Sequence, residues 1–376
     1  MNHKIFKMKK IIFTGIIILG LFSCKKQDRL YEEYLVPNGI IYPEKARNVI
    51  AKPGRERIEI SWQKGFDPKV VKARIFWNNY TDFVDVEINP NMEVISRIIE
   101  RIPENTYSFM VRTYDADDNV SVPVEVIGSV YGKMYENTLV NRRLKSRTND
   151  GQIITFEWFG AVNDTETGIS LSYTDINGEN QTIDVDRDQT VTFISDFDLN
   201  EPMFYFTRYK PDATAIDEFY ADTVTISDPN CFIPRHTWTG SCSSFNQEDQ
   251  RPEAAIDGDP NTVWFSRATN TYPHWLAYNM QKVVKVKYIR LTMRDANPNI
   301  TFKDFRIEGS MNGVDWTTYP PPNSQYYYFA PLPGISQTFT LEDAPEMQHV
   351  RIYCINSHSL DYAVLGEFEV LGTYPD

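Results

Sequence analysis

The 376-residue chain is poor in the residues that most enzymes use for chemistry. It has five histidines and four cysteines, with no CxxC pair and no Cys/His cluster of the kind that holds zinc. It contains no G-x-S-x-G, no H-E-x-x-H and no phosphate-binding glycine loop, so nucleophile-elbow hydrolases, zincins and P-loop enzymes lack their residues. Its 51 Asp and Glu would supply a glycosidase carboxylate pair, but no pattern singles one out. Positive charge is also short: 38 Lys and Arg leave a net charge of −13, which disfavours nucleic acid and anionic lipid as partners. The apolar run at residues 11–22 is too short to span a bilayer.

Aromatic residues are abundant, at 14% with 22 Tyr and 22 Phe, which suits pleated sheets packed face to face. At the N-terminus, Lys4, Lys7, Lys9 and Lys10 precede the apolar run, the order of a secretory signal. That run ends Leu21-Phe22-Ser23-Cys24, which resembles a bacterial lipobox, and the resemblance implies acylation of Cys24. Residues 1–23 are therefore expected to be a lipoprotein signal peptide and residues 24–42 a polar tether. A diacylglyceryl and an N-acyl chain together suffice for stable anchoring. The expected location is the outer membrane, at the cell surface rather than on the periplasmic face, since Glu32-Glu33 loosely resembles a surface-export signal.

One pattern then occurs twice. Ile58-Glu59-Ile60-Ser61-Trp62 is answered by Ile154-Thr155-Phe156-Glu157-Trp158, and Phe109-Met110-Val111-Arg112-Thr113-Tyr114 by Phe204-Tyr205-Phe206-Thr207-Arg208-Tyr209. Alternating strands, a period of about 95 residues and turn signals every ten or so predict two Ig- or fibronectin-III-like sandwiches, at 43–130 and 131–227. Trp62 and Trp158 are expected in their cores. The phrases Val70-Val71-Lys72-Ala73-Arg74-Ile75-Phe76-Trp77-Asn78-Asn79 and Ala215-Ile216-Asp217-Glu218-Phe219-Tyr220 resemble domain of unknown function 4998 of Bacteroidota lipoproteins. Residues 228–234, rich in Pro, Asn and Asp, read as a linker.

The last third is organised by residues 254–266. Asp257-Gly258-Asp259-Pro260-Asn261 is strong turn chemistry, and such a loop turns carbonyl and carboxylate oxygens inward, as a hard cation requires. With Pro273-His274-Trp275-Leu276, Phe305 to Trp316 and Leu365-Gly366-Glu367-Phe368, in that order, the stretch resembles the factor V/VIII type C, or discoidin-like, domain over residues 235–373. The chain is thus expected to be all-β, two sandwiches followed by a discoidin-like jelly roll. The resemblance implies a structural Ca²⁺ held by the Ala254 carbonyl, Asp257, the Asp259 backbone, Thr262, the Gly366 carbonyl and Glu367, and core positions for Trp264, Trp275 and Trp316. One disulfide among Cys231, Cys242 and Cys354 has three choices of pair, between which the sequence does not decide.

Discoidin-like domains commonly bind ligands on loops at one end, and bacterial members often take galactose-type sugars. A sugar site needs aromatic faces and planar donors. Arg267, Tyr272, His274, Tyr326, Tyr328, His358, Asp361 and Tyr362 supply both and are the expected ligand residues, while Tyr327 is assigned to the core. The chain is therefore read as a non-catalytic, membrane-anchored binder of a galactose-type glycan or complex polysaccharide, beside a polysaccharide-uptake complex, with the sandwiches as spacer. The alternative is an adhesin or assembly subunit whose discoidin-like domain grips a protein.

Overall fold

The computed structural model describes residue 39 and residues 42–267 and 269–375. The signal peptide, Cys24 and most of the tether lie outside the described residues. The chain divides into two compact units, one ending at Gly132 and one beginning at Lys133.

The first unit has seven strands: β1 (Arg47–Pro53), β2 (Arg57–Gln63), β3 (Val70–Trp77), β4 (Asp82–Glu87), β5 (Val94–Glu100), β6 (Asn105–Asp115) and β7 (Val124–Val130). They form a three-stranded sheet β1-β2-β5 and a four-stranded sheet β4-β3-β6-β7. Strict alternation sends Ile58, Ile60, Ile75, Phe109 and Val111 into the space between the sheets, where all five are fully buried with Trp62 among them.

The second unit opens with β8 (Leu144–Asn149), β9 (Ile154–Trp158), β10 (Glu166–Thr174), β11 (Asn180–Asp186), β12 (Val191–Ile194), β13 (Met203–Tyr209), β14 (Phe219–Tyr220) and β15 (Val224–Ile226). The pairings β12-β9-β8 and β11-β10-β13, with β15 on β13, repeat those of the first unit strand for strand. Trp158 occupies the place of Trp62, buried edge-on against Tyr205 at 5.1 Å, and its Nε1 donates to Thr192 Oγ1 at 3.1 Å. This sandwich also buries an ion pair. Arg142 and Glu166 are both sealed from solvent, the guanidinium donating to the carbonyls of Gln189 and Arg187 as well as to Glu166.

The remaining strands are β16 (Cys231–Phe232), β17 (Thr239–Cys242), β18 (Trp264–Phe265), β19 (His274–Thr292), β20 (Asp304–Ser310), β21 (Thr317–Tyr319), β22 (Tyr327–Tyr328), β23 (Ser336–Thr340), β24 (Glu346–Cys354), β25 (Val364–Leu365) and β26 (Glu367–Thr373). They build the jelly roll around a core that includes Trp264, Leu276, Tyr278, Phe302, Phe305, Ile307 and Phe368. The 19-residue β19 serves both of its layers. Its first half pairs with β17 and β24, its second with β23 and β26, with a register shift between Asn279 and Val284.

Segment 228–234 is tied down at both sides. β16 pairs antiparallel with β26 and parallel with β8, and Arg147 donates to the carbonyls of Asp228 and Asn230. One hydrogen-bonded sheet therefore runs from the second sandwich into the jelly roll. Cys231, Cys242 and Cys354 are all free thiols. Burial holds the Cys354 thiol well above its usual pKa and pushes that of Cys231 up to about 11, so both stay protonated and unreactive near neutrality.

The sealed Arg142–Glu166 pair carries a direct test. Glu166→Ala leaves a guanidinium buried without its counter-charge and is expected to cost the second unit about 3–5 kcal/mol, read by denaturant unfolding. Replacing both residues with apolar side chains of similar volume should cost much less.

Candidate functional site

The acidic loop is placed by what precedes and follows it. Residues Pro252–Ala255 form a single 3₁₀ turn, held where the hydroxyl of buried Tyr278 donates to the Pro252 carbonyl at 2.6 Å. After the loop, Trp264 is fully buried with its Nε1 donating to the Ser244 carbonyl at 3.1 Å. Between these anchors the chain bends through Gly258 at φ +93°, a left-handed conformation that glycine adopts without strain.

Four of the six expected cation ligands converge here. Thr262 Oγ1 lies 2.7 Å from Asp257 Oδ2, 2.7 Å from the Asp259 carbonyl and 3.2 Å from the Ala254 carbonyl. The Asp259 carbonyl also accepts the Thr262 amide proton at 3.1 Å, and the hydroxyl has one proton to share between Asp257 Oδ2 and the Ala254 carbonyl, so one of these two is left without a donor from Thr262. An oxygen cluster with too few protons suits a hard cation such as Ca²⁺. No group of three His, Cys, Asp or Glu side chains able to hold a metal occurs among the described residues, so carbonyls and the Thr262 hydroxyl would carry much of the coordination.

Glu367 plays a different part from the one expected of a free ligand. It is buried, its Oε1 accepts the Gly258 amide proton at 2.9 Å, and its Oε2 is paired with Arg235, which also donates to the Phe368 carbonyl at 3.0 Å. The carboxylate thus fastens the acidic loop to the last strand through its own hydrogen bonds. Gly366 allows this closeness, since a Cβ there would stand 2.8 Å from the Pro260 carbonyl. Burial raises the Glu367 pKa above the ordinary 4.5, against the opposing pull of Arg235, and the nearby Asp257 charge raises it further.

Beside this clamp lies the loop end of the jelly roll. Pairing of β18 with β25 sets Trp264 opposite Leu365 and Phe265 opposite Val364, and Ser266 bonds both ways with Ala363. Phe265 and Tyr362 therefore meet edge to face at 5.0 Å, and the Arg294 guanidinium lies 5.7 Å from the Phe265 ring. All three are partly exposed. Neither Phe265 nor Arg294 was among the ligand residues expected from sequence. The signal for Arg294 was an arginine at the exit of an apolar strand, followed at once by the turn-forming Asp295-Ala296-Asn297-Pro298-Asn299.

The expected ligand residues divide by depth. Arg267 is exposed and helps line a cleft of about 520 Å³ with Phe245, Arg251, Glu253 and Asn270. Asp361 is exposed and Tyr362 partly so. Tyr326 and Tyr328 are exposed, with Tyr328 against the His358 ring at 5.7 Å, while Tyr327 is in the core as expected. His358 Nε2 is 2.8 Å from the Phe329 carbonyl.

His274 has to be corrected. It is fully buried, and burial holds its pKa below the usual imidazole value. Its Nε2 meets the Asp361 carbonyl at 3.0 Å; a carbonyl only accepts, so Nε2 carries the proton and the buried Nδ1 has no partner. Tyr272, half-buried and edge-on to His274 at 4.6 Å, donates to the Tyr362 carbonyl. Both residues brace the 361–362 loop from below. Two expected core tryptophans are also corrected: Trp264 is in the core, but Trp275 and Trp316 are partly exposed.

The loop end of the jelly roll thus gathers aromatic rings and a guanidinium group. The chain belongs to the DUF4998 family, a domain of unknown function whose profile matches residues 24–219, and residues 239–368 match the F5/8 type C domain. A sialidase from Micromonospora viridifaciens is 29% identical over 130 residues, which is 34% of this chain and 19% of the sialidase. The chain therefore spans about a fifth of that curated relative's length. Among solved structures, the family 32 CBM from C. perfringens NanJ, in complex with galactose, is similar at 24% identity and TM-score 0.34, covering 38% of this chain and 98% of that one. An F5/8 type C domain from Bacteroides fragilis is similar at 21% identity and TM-score 0.34, covering 39% and 98%.

The raised pKa of Glu367 fixes the sign of a pH effect. In the unfolded chain the carboxyl ionises first, so its contribution to stability is fully present below the ordinary pKa and is lost as pH rises through the folded one. The melting temperature of wild type relative to Glu367→Gln, which cannot titrate, should therefore fall as pH rises above the ordinary 4.5. A gap that widens over that range contradicts the assignment.

Proposed function

We propose that the chain is a non-catalytic, lipid-anchored binding protein of the outer membrane that captures a galactose-type glycan at the loop end of its jelly roll. The observation that carries this reading is the Phe265–Tyr362–Arg294 group. Two rings offer apolar faces to the C–H face of a pyranose, and a guanidinium beside them presents planar N–H donors to ring hydroxyls. Tyr272 and His274 fix the 361–362 loop beneath the rings, so less ordering entropy opposes binding. The exposed Asp361 and Arg267 add an acceptor and a donor at the rim.

A Ca²⁺ ion at Ala254, Asp257, Asp259 and Thr262 completes the proposal. It would supply charge to an oxygen cluster short of protons, stiffening the loop that leads into Trp264 and Phe265. The sandwiches act as spacer between the lipid on Cys24 and the binding end, and a polysaccharide-uptake complex is the setting in which such a module serves. A lipobox-like N-terminus supports the anchor.

Titration of the full chain with galactose or lactose by calorimetry is expected to give saturable binding, weakened by about tenfold or more in Arg294→Ala. No sugar binding, together with co-purification of a protein partner, would favour the adhesin alternative. Turnover of any glycan would overturn both readings.

The cation has its own test. Free Ca²⁺ about 100-fold above its Kd should stabilise the protein by about 2.7 kcal/mol, and Asp257→Ala should remove the effect. A melting temperature indifferent to chelator would remove the ion from the account.

A further inference from the structure

On the jelly-roll sheet, period-2 alternation sends Phe305, Ile307, Val350, Ile352 and Leu276 into the core. The residues between them face the other way. There the register sets Arg306 opposite Tyr353 and Tyr353 opposite Trp275, and in the next row Glu308 opposite Arg351. The outer face thus carries arginines, aromatic rings and two carboxylates, Asp304 and Glu308, where solvent-facing sheets commonly carry short polar residues.

These groups are ordered. The Arg306 guanidinium lies over the Tyr353 ring at 4.5 Å, and that of Arg351 lies 5.4 Å from the same ring and 4.1 Å from Trp316. Glu308 holds both arginines, through Arg306 Nη2 at 3.1 Å and through Arg351 Nε, and also accepts from Thr318 Oγ1 at 3.3 Å. Arg306 Nε is buried without a partner. Asp304, two positions before Arg306 on the same face, is paired with Lys303 at 3.8 Å, so three cationic side chains meet two carboxylates and leave one excess positive charge here, on a chain whose net charge is −13.

The stacking decides which ligand fits. A ring covers one face of the Arg306 guanidinium and two rings flank that of Arg351, while Arg306 Nε is buried and Glu308 takes Arg306 Nη2 and Arg351 Nε, so the remaining Nη N–H groups are what can meet a partner, and these match a carboxylate. Trp275, partly exposed across from Tyr353, adds a flat apolar surface within one strand spacing. A uronic-acid residue of a polysaccharide carries both complements, an anionic carboxylate and a C–H face. We propose that this outer sheet face is a second carbohydrate site, selective for uronate-containing chains and separate from the loop-end group.

Calorimetric titration of the full chain with an oligogalacturonate tests it. The expected result is saturable binding that weakens by about tenfold or more in Arg306→Gln and in Thr318→Glu, the latter adding a like charge at an exposed edge position. Arg294→Ala should leave this binding unchanged, so failure of the loop-end site and failure of this one are told apart. The proposal is overturned if wild type does not bind the oligogalacturonate or both patch variants, folded by circular dichroism, bind as wild type does. It is equally overturned if only Arg294→Ala abolishes binding, or if poly-glutamate binds as tightly, which would mark a plain anion patch.

Discussion

A buried carboxylate joins the two ends of the jelly roll. Glu367, on the last strand, accepts the Gly258 amide proton from the acidic loop near the domain's beginning and is paired with Arg235. Desolvating a carboxylate is costly, and the arrangement persists because both of its oxygens are satisfied. Much else is arranged around this contact. The same junction seats Gly366 against the Pro260 carbonyl and leads through Val364–Leu365 to the strand that carries Phe265. The loop-end rings and the oxygen cluster around Thr262 are therefore neighbours of one fixed point.

Arg235 also ties that point to the neighbouring sandwich. It follows β16 by three residues, and β16 is paired on both sides, with β26 of the jelly roll and β8 of the second sandwich. Backbone hydrogen bonding continues across what would otherwise be a swivel. A jelly roll carried on a shared sheet presents its loops in a set direction from the sandwich that bears it.

Much of the fold was legible because its signals are local or periodic. Trp62 and Trp158 end strands of matching pattern, and period-2 alternation with a common register was enough to predict two like sandwiches. The acidic bend was legible because Gly, Pro, Asp and Asn set their own backbone. The ligand residues were less so. His274 was expected among the ligand residues as a planar donor in a loop, yet it shares parity with Leu276 and Tyr278, both in the core, and that parity places it inside. The same rule puts Trp275 outside. Arg294 and Phe265 lie about 30 positions apart in sequence and are brought close because β18 pairs with the two-residue β25 while β19, which Arg294 follows, pairs with β26, contacts that no local pattern announces. The Arg142–Glu166 pair was invisible for a related reason, since nothing local distinguishes two buried charges from the many exposed ones.

Hydrogen exchange across residues 254–262, comparing the full-length protein with Glu367→Ala, addresses the clamp most directly. The account predicts slow exchange at the Gly258 amide in the wild type, and loss of that protection throughout the acidic loop, spreading to Phe265, once the carboxylate is removed. Unchanged exchange in the variant would contradict it, because the loop would then be held by something other than Glu367.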